Sequence, residues 1–147
     1  MNPFYAGVRT MTLQGGAPQG FVRAAGGKDV PFEIRRVFYI YGKGNVGQTR
    51  GRHSNRKSEF VLFNVRGSCT IKTIDENGAE AVYSLCEPNQ AVYLPRMVWK
   101  EMYDFTEDSV LMVLTNEPYD AGEYIRSFDA FAAEMKAMES ENGDCVS

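Results

Sequence analysis

The chain has 147 residues, of which 44% are hydrophobic and 12% aromatic, so it can bury one sizeable core and has little room for a second. Its formal net charge of −3 gives no basic surface for nucleic acid. No apolar run is long enough to span a bilayer and residues 1–10 lack the layout of a signal peptide, so we expect one cytoplasmic domain, 1–147, with its core at about 19–131.

Short segments of strand character, divided by glycine, asparagine and proline, follow one another along most of the chain. Alternation in the first of them puts Arg36, Phe38 and Ile40 on one face. Asn77-Gly78 marks a hairpin turn. Seven or more strands predict an all-β jelly roll or barrel. The predicted strands are 32–41, 59–65, 69–74, 79–85, 91–94, 100–105 and 110–115.

The pattern changes after Pro118, where apolar residues recur at helical spacing. We expect a C-terminal amphipathic helix that covers one end or face of the barrel, with Asp120 as its N-cap and a disordered tail at 140–147. The apolar stripe of this helix consists of Tyr124, Phe128, Phe131, Met135 and Met138.

The three cysteines do not predict a disulfide or a metal site. Cys69, Cys86 and Cys145 are odd in number, lie far apart and show no CxxC spacing. We expect buried or idle thiols.

The only histidine, His53, lies in a run that resembles a cupin motif with its metal ligands partly removed. A metal-binding cupin has two histidines one residue apart, a carboxylate a few residues on, and a last histidine on a distant strand. This chain has Asn55 at the second histidine position and Lys100 at the last one, which leaves Glu59 as the carboxylate. We therefore expect no metal and no other cofactor.

Period-two alternation places Gly51, His53 and Asn55 on one face, and the resemblance to the cupin motif implies that Lys100 lies opposite. A histidine can take and return a proton near neutral pH. Lys100 could stabilise an oxyanion, and Asn55 could donate an amide hydrogen bond. We predict these three as the catalytic residues. Arg50 could bind a phosphate, whereas Glu59 is expected to pair with a nearby cation.

Several ordered blocks closely resemble the sugar 3,4-ketoisomerases of the WxcM-like cupin family, over residues 19–131. The blocks are PFEIRRVFYI from Pro31, RGRH from Arg50, VWKEMYDF from Val98, EPYD from Glu117 and YIR from Tyr124. The resemblance implies a homodimer that acts without metal on dTDP-4-keto-6-deoxyglucose. A histidine would remove the C3 proton, an enediol would form, and the carbonyl would move from C4 to C3. The product would serve deoxyamino-sugar synthesis for O-antigen or S-layer glycans.

The departures from the family pattern fall around the expected cavity. The family reads Arg-Gly-x-His-x-His, so its second histidine becomes Asn55, and a common tyrosine becomes Phe38. The position of Lys100, which the resemblance links to product stereochemistry, holds histidine or arginine in relatives, and an arginine or tyrosine before a glycine becomes Gln19. The predicted substrate-binding residues are Gln19, Arg36, Phe38, Arg50 and Arg52.

Three functions stay open at this point. The first is an active ketoisomerase with His53 as base. The second is a non-catalytic nucleotide-sugar-binding cupin, which Asn55 and Phe38 would favour. The third is an isomerase or epimerase for a different nucleotide sugar. A metal-dependent dioxygenase is disfavoured because His53 and Glu59 alone make a poor site. Exposed edge strands and an extended segment at 1–16 that could exchange between subunits predict a homodimer.

Overall fold

The computed structural model describes residues 3–16 and 22–144, and within them it forms ten strands and two α-helices. No helix in this part is long and apolar enough to cross a membrane. The helices are α1 (Pro3–Ala6) and α2 (Phe128–Asp144), and the strands are β1 (Arg9–Thr12), β2 (Arg36–Tyr41), β3 (Arg50–Asn55), β4 (Phe60–Arg66), β5 (Cys69–Ile74), β6 (Glu80–Leu85), β7 (Gln90–Leu94), β8 (Trp99–Tyr103), β9 (Val110–Thr115) and β10 (Tyr124–Ile125).

The strands form two five-stranded antiparallel sheets. One has the order β1-β7-β4-β9-β2 and the other β10-β3-β8-β5-β6. Their inner faces share one apolar core, to which alternate residues of the strands contribute. On β5, for example, Cys69, Ile71 and Thr73 are buried while their neighbours are half-buried. The predicted all-β fold with a C-terminal helix is confirmed.

Two further apolar clusters cover outer faces of the barrel. Leu13 and Val30, which flank the segment before β2, pack on Val61 and Leu114 of the first sheet. Helix α2 covers the second sheet, with Phe131 and Met135 fully buried beside Trp99. Most of the predicted stripe therefore packs as expected.

The start of α2 was predicted wrongly. Asp120 accepts a hydrogen bond from the backbone N–H of Gly122 and so caps a 3₁₀ turn, Ala121–Glu123, rather than α2. Ser127 caps α2 instead, since its Oγ accepts from the N–H of Ala130. Tyr124 lies on β10, outside the helix.

Strands β1, β3 and β10 were not among the predicted strands, and the end of the helix also differs from expectation. β1 pairs with β7 of the same chain, and β10 pairs with β3. Both are too short, at four and two residues, for an alternating pattern to stand out. Within the tail that was expected to be disordered, 140–147, α2 continues to Asp144.

Candidate active site

One cavity of about 180 Å³ opens into the barrel between the two sheets. Phe38 and Phe60 from the first sheet provide apolar walls, and His53 and Lys100 from the second sheet provide polar groups. Pockets for drug-sized ligands typically measure about 300–1,000 Å³. This one therefore admits a small part of a larger ligand. Its full lining is Arg36, Phe38, Ile40, Arg50, Gly51, His53, Phe60, Leu62, Lys100, Met102, Val113 and Tyr124.

A β-bulge in β3 sets which side chains reach this cavity. The register places His53 opposite Lys100 but leaves Arg52 without a partner. Gly51 has φ of 83°, and a Cβ there would lie 2.9 Å from the carbonyl oxygen of Lys100, so the bulge requires glycine. Because the bulge adds one residue, Arg50 joins His53 at the cavity and Arg52 is exposed outside it.

The imidazole of His53 is held in one tautomer. Its Nδ1 lies 3.0 Å from the carbonyl oxygen of Gly51, which can only accept, so Nδ1 carries the proton and Nε2 has the lone pair. Its ring centroid lies 4.7 Å from that of Tyr124. Burial lowers the pKa of His53 from 6.5 to about 4, and the charge of Lys100 acts in the same direction. His53 is therefore a neutral base at pH 7.

Lys100 is a buried amine at the cavity wall, with a relative exposure of 3%. Its Nζ donates to Oδ1 of Asn55 at 2.9 Å and lies 4.5 Å from the ring centroid of Phe60. Burial lowers the pKa of Lys100 from 10.5 to about 7, and the carboxylate of Glu123 opposes that shift. The ammonium can therefore stabilise a negative charge or give up a proton near neutral pH.

Asn55 is fully buried behind Lys100 and does not line the cavity. While its Oδ1 accepts from Lys100, its Nδ2 donates to Oε1 of Glu123 at 2.8 Å. The amide expected to contact substrate is thus engaged with these two side chains.

Glu123 is a buried carboxylate surrounded by donors. Besides the amide of Asn55, it accepts from the hydroxyl of Ser58 and from the backbone N–H groups of Lys57 and Ser58, the last two at 2.8 and 2.9 Å. Burial acts to raise the pKa of Glu123, but the hydrogen bonds from Ser58 and Asn55 outweigh it and the pKa is lowered. The group is a carboxylate at neutral pH.

The mouth of the cavity has cationic and aromatic side chains side by side. The guanidinium of Arg36 lies 4.6 Å from the ring centroid of Phe38 and 5.1 Å from that of Tyr119. The guanidinium of Arg126 lies 4.7 Å from the centroid of Tyr124. Planar rings beside guanidinium groups suit a ligand that combines a flat base with phosphates.

The predicted site residues are brought together only in part. His53, Lys100, Arg36, Phe38 and Arg50 line the cavity. Asn55 lies behind it, Arg52 lies outside it, and Gln19 falls outside the described residues. The loss of regular alternation at the bulge explains the position of Arg52.

Among the residues that the structure describes, Glu59 does not pair with a cation, contrary to expectation. Its carboxylate accepts from the hydroxyl of Tyr93 and the amide of Asn116. Over residues 3–16 and 22–144, no three histidine, cysteine, aspartate or glutamate side chains are grouped to hold a metal ion.

Sequence reasoning missed Glu123 and assigned Tyr124 to a packing helix. The donors to Glu123 lie 65 to 68 residues earlier in the chain, so no local pattern could have marked it. Tyr124 lies on strand β10, in the block YIR that resembles the family. That resemblance was the only available signal for it.

Fold and site together define a cupin-type barrel whose cavity holds a neutral histidine and a buried lysine. Residues 12–136 match the family model described as "FdtA: WxcM-like, C-terminal". The chain belongs to this family.

Individual relatives agree with that assignment. The chain is 41% identical over 105 residues to the TDP-4-oxo-6-deoxy-alpha-D-glucose-3,4-oxoisomerase of Aneurinibacillus thermoaerophilus, covering 71% of this chain and 73% of that protein. The sugar 3,4-ketoisomerase QdtA from Thermoanaerobacterium thermosaccharolyticum, solved with TDP, superposes with a TM-score of 0.83 at 37% identity, covering 89% of this chain and 96% of that one. A variant of QdtA, solved with TDP-4-keto-6-deoxyglucose, gives a TM-score of 0.82 at 36% identity, covering 88% and 94%.

Proposed function

We propose that this protein is a nucleotide-sugar 3,4-ketoisomerase that converts dTDP-4-keto-6-deoxyglucose to its 3-keto isomer, in the cytoplasm and for deoxyamino-sugar synthesis. The observation that carries the proposal is the pair of His53 and Lys100, opposite each other on β3 and β8 at one cavity. The ketoisomerases among the relatives of this chain support the reaction class.

The reaction is a proton transfer for which His53 is suited. Nε2 of His53 takes the C3 proton, the C–H electron pair forms a C3–C4 double bond, and the former carbonyl electrons move to O4. The proton of the O3 hydroxyl then passes to O4. The proton on His53 exchanges with solvent, and as the carbonyl forms at C3, the double-bond pair moves to C4 and takes a proton from His53. One base serves both carbons on one face of the sugar, and all atoms and charges balance.

Lys100 stabilises the enediolate formed in this step. Its ammonium is buried, so its interaction with a developing negative charge on O4 is weakly screened. The bond to Asn55 fixes the position of Nζ before substrate arrives. Since the pKa of Lys100 is about 7, the reaction needs a pH at which His53 is neutral while Lys100 is still charged.

The nucleotide lies at the mouth of the cavity. A volume of about 180 Å³ suits the sugar and leaves the rest of the substrate outside. Arg36, Arg50 and Arg126 can neutralise the diphosphate, and the rings of Tyr119 and Tyr124 offer flat surfaces to the base. TDP in the QdtA complex supports a thymidine nucleotide.

The protein forms a homodimer in this proposal. On edge strand β2, the outward side chains Val37, Tyr39 and Tyr41 are 50%, 59% and 66% exposed. A row of large apolar side chains on an edge strand suits burial against a second copy. Light scattering on the purified protein should give a dimer mass that Tyr39→Asp lowers, and a monomer mass for the unaltered protein would refute the dimer.

The reaction is tested with dTDP-4-keto-6-deoxyglucose in deuterated water, with the sugar followed by NMR. We expect a 3-keto sugar carrying deuterium at C4, and neither product nor exchange with His53→Ala. Tight binding without turnover by a folded sample would instead favour the binding module. Turnover of a UDP- or GDP-linked sugar alone would favour an isomerase for another nucleotide.

A further inference from the structure

A buried chain of polar groups leads from the cavity to a carboxylate that does not itself line the cavity. It runs from Nζ of Lys100 through the amide of Asn55 to Glu123. The three residues are 3%, 0% and 4% exposed. We propose that Glu123 is a positioning residue, which fixes the orientation of the Asn55 amide and thereby the position and protonation of Lys100.

Glu123 acts only as a hydrogen-bond acceptor toward the groups around it. Oε2 accepts from two backbone N–H groups, those of Lys57 and Ser58, and Oε1 accepts from the Ser58 hydroxyl and the Asn55 amide. A carboxylate has no proton to donate. The amide of Asn55 must therefore present its NH₂ to Glu123.

The orientation of Asn55 then determines what Lys100 meets. With its NH₂ directed at Glu123, Asn55 presents only its carbonyl oxygen to Nζ of Lys100. A carbonyl oxygen favours the charged ammonium over the neutral amine. The reversed amide would place an NH₂ against the ammonium and an oxygen against the carboxylate, which are two repulsive contacts.

The surroundings of Lys100 make Glu123 its principal source of negative potential within the described part of the chain. β4 and β5 contribute the uncharged Phe60 and Thr73. The other charged or titratable groups nearby are the imidazole of His53, the phenol of Tyr124 and the guanidinium groups of Arg36, Arg50 and Arg126. The neighbouring Glu101 faces the outside, where it pairs with Lys72 at 3.6 Å.

Glu123→Gln is the decisive change because it keeps the size of the side chain. Because two backbone N–H groups donate to Oε2, the amide oxygen of the Gln side chain would take the place of Oε2 and its NH₂ the place of Oε1. That NH₂ would face Asn55, so Asn55 would turn its oxygen to the Gln and its own NH₂ to Lys100. Loss of the charge and reversal of the amide both disfavour the ammonium. We expect the pKa of Lys100 to fall by about half a unit or more.

The pKa can be measured without substrate. The protein has six lysines. In a sample labelled with ¹³C and ¹⁵N on lysine, the Cε signal of Lys100 is identified by its loss in Lys100→Met and then titrated. Glu101→Gln is the matched control, since it removes a carboxylate next to Lys100 in sequence but on the outer face, and it should leave the titration unchanged.

A double-mutant cycle separates positioning from a general charge effect. Asn55→Ala should also lower the pKa of Lys100, and in that background Glu123→Gln should lower it by less than in the unaltered protein, because only the direct effect of its charge is left. An unchanged pKa in Glu123→Gln, or full additivity of the two changes, would overturn the inference. If Glu123→Gln does not fold, an unchanged pKa of Lys100 in Asn55→Ala is sufficient to overturn the inference.

The inference rests on the proposed function only in treating Lys100 as a group of the reaction. In the active protein, the alkaline limb of kcat/KM against pH should move with the measured pKa of Lys100. If the titrations shift as expected but no sugar is turned over, the proposed reaction fails and the link from Glu123 to Lys100 stands. If turnover is found but the titration does not move, the proposed reaction stands and the link from Glu123 to Lys100 fails.

Discussion

The two ends of strand β4 both face buried polar groups inside the barrel, yet only one end is built for chemistry. At its start, Phe60 packs on the ammonium of Lys100 beside the cavity. At its other end, Asn64 donates to the sulfur of Cys69 and the carbonyl of Leu85 and accepts from the hydroxyl of Ser109. Burial of polar groups is common to both ends, so burial alone does not mark a site.

The difference lies in charge and access. The Asn64 cluster is neutral, with its amide and its Ser109 hydroxyl bonded inside the protein, and burial raises the pKa of the Cys69 thiol to about 11. It stabilises the barrel because the groups satisfy one another. The Lys100 end instead keeps an ionisable amine and an imidazole next to open space. A protein holds such groups there at a cost in stability, which a function must offset.

The largest effect is expected from His53→Ala. Removing a general base typically lowers a rate by about 10²- to 10⁴-fold. Exchange of the C3 proton in deuterated water should fall by that range, with nucleotide binding largely kept. Exchange at the original rate would show that another group is the base.

Lys100→Met should come next, with a loss in kcat of about 10²-fold or more for one stabilising group at an oxyanion. The activity of the unaltered protein should rise as His53 loses its proton near pH 4 and fall as Lys100 loses its proton near pH 7. The alkaline fall should be absent from the residual activity of Lys100→Met. An unaltered profile in the variant would contradict the assignment.

The same buried amine predicts a pH dependence of stability. Between pH 7 and 10.5 the unfolded chain binds the Lys100 proton and the folded chain does not, so the free energy of unfolding should rise with pH there. Relative to Lys100→Met, the unaltered protein should gain stability over this window. Urea titrations at pH 6.5 and 9.5 measure it, and a constant difference would indicate an ordinary lysine pKa.

Asn64→Ala tests the other end of β4. It leaves the Ser109 hydroxyl and the Leu85 carbonyl without their partner, which should cost about 1–3 kcal/mol of unfolding free energy. The kcat of the folded protein should stay within about twofold, because the cluster does not line the cavity. A large loss of kcat at unchanged stability would contradict the contrast between the two ends.

The smallest effect is expected at Arg52. It is exposed at the bulge and outside the cavity, so Arg52→Ala should change KM by less than about twofold, whereas Arg50→Ala should raise KM. Initial rates for the two variants compare neighbouring arginines directly. Equal increases in KM would show that the substrate reaches beyond the cavity mouth to Arg52.

The opposition of His53 and Lys100 was predicted through the resemblance to a cupin motif, whereas most of the strands and the C-terminal helix were predicted directly from patterns in the sequence. These follow from local alternation and periodicity, which the chain carries within single elements. Alternation also put Arg36 and Phe38 on the cavity side.

The remaining features of the site arise from tertiary packing. The bulge places Arg50 at the cavity and Arg52 outside it because a left-handed backbone at Gly51 breaks the period of two. Glu123 meets Asn55 only when β10 pairs with β3, and Lys100 becomes an amine of lowered pKa only when both sheets exclude water around it. Hydrogen bonds across 65 residues and desolvation arise from packing between elements, which no local pattern records.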